Sequence, residues 1–127
     1  MLTITQLAEQ LGEQLQLHSA AVTTAESCTG GGIAEAITRI AGSSAWFEVG
    51  FITYSNAQKE RLLQVPAASL EHDGAVSQPV VEAMVRGAQK LSSAKYGVAV
   101  SGVAGPGGGS IGKPVGTVWI AWADGEQ

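Results

Sequence analysis

The chain has 127 residues, of which 45% are hydrophobic and only 14% charged, a balance that excludes a disordered or solvating chain. Its net charge of −4, with seven cations scattered along the sequence, offers no basic face for a nucleic-acid partner, and a single cysteine, Cys28, excludes an internal disulfide. Glycine is the outlier: ten of the 17 lie in two stretches, Gly30 to Gly32 and Gly102 to Gly116.

From Ile4 to Leu17, Leu7, Leu11 and Leu15 recur every fourth position with Ala8 beside them, which predicts an amphipathic helix. Ala21 to Ala25 is short and β-branched and reads as a strand. It runs into Glu26-Ser27-Cys28-Thr29-Gly30-Gly31-Gly32, after which Ile33, Ala36, Ile37 and Ile40 restore a helical period. Gly42-Ser43-Ser44 breaks that helix, and Trp46 to Tyr54 reads as one or two strands with Gly50 as a turn or bulge. Asn56 is placed to cap a short helix through Leu63, ended by Val65-Pro66. Ser77 is the expected cap of the next helix, with Val80, Val81, Met84, Val85, Ala88 and Leu91 as its buried stripe. Tyr96 to Ser101 is a strand feeding the second glycine stretch, and Val115 to Ala123, apolar on both faces, is expected at the centre of the sheet.

Helices alternating with strands predict a three-layer α/β/α domain with a mixed, largely parallel sheet, and the length is that of one domain, residues 1–127. No basic segment followed by an apolar stretch opens the chain, and no apolar run is long enough to span a bilayer. No membrane partner and a cytoplasmic location are therefore expected. Asp124-Gly125 is a strong hairpin signal with only two residues after it, so the strand that would return from this turn is expected to be missing.

A strand that turns through glycine into a helix presents unpaired N–H groups to anions. At such a turn the Ser27 hydroxyl is placed to attack a carbonyl while neighbouring N–H groups hold the oxyanion; Ser27 or Thr29 simply capping the helix is the plain alternative. Cys28 is a rival nucleophile, but the only histidines, His18 and His72, form no constellation with it, which also disfavours a Ser-His-Asp triad and a zinc site. No metal or cofactor is expected. A base for Ser27 must then come from elsewhere, and Tyr54 with Lys59, at the end of a strand and the start of a helix, are the candidates. A lysine base needs its pKa lowered from about 10.4 toward neutrality; a solvated helix charge is the alternative reading. The loop after Tyr96 to Ser101 matches neither a Walker A loop nor Gly-x-Gly-x-x-Gly opening a helix, so it is a candidate ligand loop, or a merely mobile one, without the usual phosphate motifs.

Four ordered motifs, Thr24-Ala25-Glu26-Ser27-Cys28-Thr29-Gly30-Gly31, Tyr54-Ser55-Asn56 with Lys59, Ser101-Gly102-Val103-Ala104-Gly105-Pro106-Gly107-Gly108, and Gly116-Thr117-Val118-Trp119, resemble the C-terminal domain family of the competence-damage protein CinA. Stand-alone members of that family are nicotinamide-nucleotide amidases. The resemblance implies hydrolysis of nicotinamide mononucleotide to nicotinic acid mononucleotide and ammonia, with Ser27 as nucleophile, Lys59 as general base and Tyr54 as a third member that orients or relays the proton. It further implies that Thr29, Gly30 and Gly31 supply oxyanion or ligand N–H groups, and that Ser101, Gly102, Ala104 and Gly105 line the pocket for a small pyridine nucleotide. Such domains often pair as homodimers. A non-catalytic nucleotide-binding or regulatory module of the same fold is the alternative. The resemblance also implies a further strand and a C-terminal helix after the last strand, so residues 1–127 are expected to be one such domain lacking its final strand and helix.

Overall fold

A computed structural model describes residues 1–127. Helix α1 (Ile4–Leu17) begins at a capping box, in which the Thr3 hydroxyl accepts from the Gln6 N–H at 3.1 Å and the Gln6 side chain accepts from the Thr3 N–H at 2.8 Å. Ala8, Gly12 and Leu15 form its buried face. Gly12 has no room for a side chain, since an added Cβ would lie 2.6 Å from the Trp46 indole. Strand β1 (Val22–Glu26) leads through the glycine turn into α2 (Gly32–Thr38), then through one 3-10 turn to β2 (Gly50–Ile52). Helices α3 (Asn56–Leu63), α4 (Ala67–Asp73) and α5 (Gln78–Ser92) follow, and then β3 (Tyr96–Gly102) and β4 (Val118–Asp124).

The sheet has the order β2-β1-β3-β4; β1 is parallel to both neighbours, and β4 is antiparallel to β3. Two cores lie on its two faces. The larger joins Ala25, Ala99 and Ala123 of the strands to Leu63, Leu70, Val80, Val81, Met84, Val85 and Ala88 of α3, α4 and α5; the smaller joins Val22 to Leu15, Ile37 and Trp46 on the α1–α2 side. This is the three-layer α/β architecture with a mixed, mostly parallel sheet. The valine and methionine side chains that α5 buries contribute about 1.5–3 kcal/mol each, which makes that helix the main support of the sheet.

Several local expectations are corrected. Only Gly50–Ile52 forms a strand in the Trp46 to Tyr54 stretch, and Gly50 is a strand residue packed against the Thr24 hydroxyl and Phe47 rather than a turn or bulge. Ser55, not Asn56, caps α3: its hydroxyl accepts from the Gln58 N–H at 3.2 Å. The segment after Pro66 forms a further helix, α4, which carries His72. Leu91 falls outside the buried stripe of α5 and is exposed.

The largest correction concerns β4, which is an edge strand: it pairs only with β3, and Trp122 is 78% exposed. Its apolar composition records a demand for cover on both faces, not a central place in the sheet. Two apolar grooves flank it, one floored by Pro79, Ala83, Trp119 and Ala121 beside α5, the other by Leu7, Leu11, Ile33 and Trp122 beside α1 and α2. No helix is long and apolar enough to cross a membrane.

Candidate active site

Side chains alternate across a strand, and this decides what β1 presents at its carboxyl end. Ala25 belongs to the core on the α5 side and Val22 to the core on the α1–α2 side. Ser27 therefore continues toward α3 and α5, while Glu26 turns toward α2.

Glu26 is fully buried. One carboxylate oxygen accepts from the Thr29 hydroxyl at 2.5 Å and the Ile33 N–H at 2.9 Å, and the other from the Ala34 N–H at 2.9 Å. Gly31, the residue at the N-cap of α2, has φ +103 and no side chain to cap with, so the preceding strand supplies the cap. The helix end expected to receive a ligand anion is thus filled by the chain's own carboxylate.

On the opposite face, Lys59 Nζ lies 3.0 Å from Ser27 Oγ, and donates to the carbonyls of Thr53 at 2.8 Å and Tyr54 at 3.2 Å. Lys59 is only 1% exposed, and Ser27 is buried as well. Burial, which disfavours the charged amine, holds the Lys59 pKa below its ordinary 10.5; the nearby Cys28 thiol, in its anionic form, opposes the shift. The long side chain crosses from the first turns of α3 to the β1 end because α3 is clamped close to α5. At Gly87 of α5 an added Cβ would press into the Leu63 carbonyl oxygen and lie 2.9 Å from its carbon. Leu63 is one turn beyond Lys59 on the same buried face.

Tyr54 reaches this centre through its main chain. Its carbonyl accepts from Lys59 Nζ, while its side chain is 68% exposed and bonds to neither Ser27 nor Lys59. The N–H groups of Cys28, Thr29 and Gly31 donate to no protein acceptor, whereas that of Gly30 is already taken by the Ser27 carbonyl at 3.0 Å. Ser27 itself is tied to the neighbouring strand, its N–H donating to the Val100 carbonyl at 3.0 Å. Ser101 is buried at the end of β3, and Gly102 lies against Cys28, where an added Cβ would be 2.9 Å from Sγ. Ala104 and Gly105 are exposed on the loop beyond. That loop is stapled: Val103 and Thr117 pair across its base, Gly116 donates to the Val103 carbonyl, and the Lys113 ammonium bonds to the Asp73 carbonyl. His18 bonds to the Gln14 carbonyl at the end of α1, and His72 bonds to Asp73; neither bonds to Ser27, Cys28 or Lys59. Glu26 and the Thr53 carbonyl are the parts of the site that sequence reasoning missed. Strand alternation around the glycine turn pointed to Glu26, but nothing in a side-chain pattern reveals a carbonyl.

Fold and site together define a class: an α/β domain in which a serine and a buried lysine meet at the carboxyl ends of parallel strands. The chain belongs to the CinA C-terminal domain family, whose pattern it matches over residues 4–127. It is 69% identical over 124 residues to nicotinamide-nucleotide amidohydrolase PncC of Pseudomonas putida, covering 98% of this chain and 78% of that protein. It is 58% identical over 118 residues to the protein of the same name from Escherichia coli K12, covering 93% of this chain and 72% of that one. The crystal structure of a competence/damage inducible protein from Agrobacterium tumefaciens superposes with a TM-score of 0.93 at 47% identity, covering 95% of this chain and 73% of that one.

Proposed function

We propose that this chain hydrolyses the carboxamide of nicotinamide mononucleotide to nicotinic acid mononucleotide and ammonia, with Ser27 as nucleophile and Lys59 as its general base. The amidase activity rests on the likeness to two amidohydrolases of that name; the residue roles rest on the buried 3.0 Å contact between Lys59 Nζ and Ser27 Oγ. A neutral amine has two N–H bonds and one lone pair. With the two N–H groups given to the carbonyls of Thr53 and Tyr54, the lone pair is left facing the serine hydroxyl. That is the orientation a base requires.

In this reading Ser27 Oγ adds to the amide carbon as its proton passes to Lys59 Nζ. The unpaired N–H groups of Cys28, Thr29 and Gly31 are the donors available to the oxyanion. Collapse breaks the C–N bond, Lys59 returns its proton to the departing nitrogen, and ammonia leaves a Ser27 ester. Water then adds to the ester, giving a proton to Lys59, which passes it to Ser27 Oγ as the acid is released. Ser101, Gly102, Ala104 and Gly105 border the nucleotide in the same reading. The two apolar grooves and the free edge of β4 are the surface on which the further strand and helix of the family pattern, or a second copy, would pack.

Ammonia release from nicotinamide mononucleotide tests the proposal. Ser27→Ala and Lys59→Ala are each expected to abolish it, while Cys28→Ala keeps most of it. Loss in the cysteine variant with activity retained in the serine variant would overturn the assignment.

A further inference from the structure

The Thr53 side chain is completely buried, and its hydroxyl has no hydrogen-bond partner. A buried polar group left unpaired is costly, and native structures hold few of them. Its position gives the reason. The Thr53 N–H donates to the Glu26 carbonyl at 2.9 Å, which carries the parallel register of β1 and β2 one step beyond Glu26↔Ile52 and sets Thr53 beside Ser27. Phe51, two residues earlier, packs on the same core as Ala25, two residues before Ser27. Thr53 and Ser27 therefore share a face on adjacent strands, with their Cβ atoms about 5 Å apart. The Thr53 carbonyl is itself 2.8 Å from Lys59 Nζ.

The donor count at Lys59 changes during the reaction proposed above, on which this inference rests. The neutral amine has two N–H groups for two carbonyls. Once it has taken the serine proton it has three, and Ser27 Oγ, now bonded to carbon, is a poor acceptor. We propose that the Thr53 hydroxyl is a positioning group for the protonated base: it turns about χ1 to accept the third N–H of Lys59 as each tetrahedral intermediate forms, gives it up when that proton is handed on, and is idle in the resting enzyme. The interaction forms only as charge develops, so it lowers the barrier without tightening substrate binding.

The test compares Thr53→Val, which replaces the hydroxyl by a methyl of the same shape, with Thr53→Ser, which keeps it. Removing a hydroxyl that has no resting partner leaves the melting temperature unchanged or raises it. The expected result is a fall in kcat of roughly 10- to 100-fold in Thr53→Val with KM unchanged, most of it recovered in Thr53→Ser. Wild-type kcat in Thr53→Val would overturn the inference, as would equal loss in both variants accompanied by a lower melting temperature, the mark of a packing role. If Ser27→Ala and Lys59→Ala are inactive while Thr53→Val is not impaired, the inference about Thr53 fails alone. If Ser27→Ala retains activity, the serine–lysine reading fails first.

Discussion

Gly87→Ala is a substitution remote from the chemistry that should act on it through one helix. The new Cβ would lie 2.9 Å from the carbonyl carbon and Cα of Leu63 and closer still to its oxygen, where ordinary contact begins at 3.4 Å. These are backbone atoms at the end of α3 and cannot turn aside, so α3 and α5 must part by at least half an ångström, and by roughly 1 Å at the oxygen. Lys59 sits one turn earlier on the same face and moves with Leu63. Its 3.0 Å contact with Ser27 then stretches past hydrogen-bond length, and a misplacement of about 1 Å can cost on the order of 100-fold in rate. Overpacking should also cost about 1–3 kcal/mol of stability. Gly97→Ala serves as the control, because its Cβ would crowd Val85 at 2.8 Å and the Gln89 side chain, on the same helix but away from α3. Ammonia release at a temperature where both variants are fully folded, checked by urea titration, separates the two effects. If Gly87→Ala keeps wild-type kcat there, or if Gly97→Ala loses as much, the depth of α3 does not set the base.

Three further outcomes follow from the same geometry. Because the Lys59 pKa is depressed in the folded state, below that lowered value both states hold the proton and the full burial penalty applies. As pH rises above it the native state sheds the proton first, so stability increases toward pH 10.5 by up to about 1.4 kcal/mol per unit. Wild type measured against Lys59→Met should gain stability as the pH climbs toward 10.5, and parallel curves would contradict the burial argument. Glu26→Gln turns one of two accepting oxygens into an amide nitrogen facing a donor, and should lower the unfolding free energy by about 2–4 kcal/mol in urea titration; an unchanged midpoint would deny Glu26 its capping role. Gly102→Ala should crowd Cys28 Sγ at 2.9 Å and destabilise by about 1–3 kcal/mol, part of which Cys28→Ala should restore; strictly additive single changes would show that the two do not touch.

Much of this organisation is written in side-chain periodicity. Helix α1, the strand-glycine-helix turn at Ser27 and the α5 stripe each follow from local pattern, although Leu7 and Leu11 of α1 stay exposed; spacing alone leaves Lys59 open between a base and a solvated helix charge. What escaped was what pattern does not encode. Helix α4 hid behind Pro66, which ends one helix and here begins another. The length of β2 was overestimated because Trp46 is apolar for a helix contact, not for a strand. β4 looks central because edge and centre differ in neighbours rather than in composition. At the site, Tyr54 meets Lys59 through its carbonyl, a contact that no side-chain pattern reveals. Glu26 reads in the sequence only as part of the polar turn, although a carboxylate just before a glycine turn is well placed to close the helix that follows.

The inward-facing Glu26 has a consequence for how the centre is assembled. The N-terminus of a helix is a ready-made site for a ligand anion. Here the tethered Glu26 carboxylate holds the Thr29 hydroxyl and the N–H groups of Ile33 and Ala34, so the turn carrying Ser27 is tied to α2 before any substrate enters. The place of Ser27 is then a property of the folded chain and not of its ligand, and in the proposed reaction the binding energy of the substrate is free to favour the transition state instead of ordering a loop.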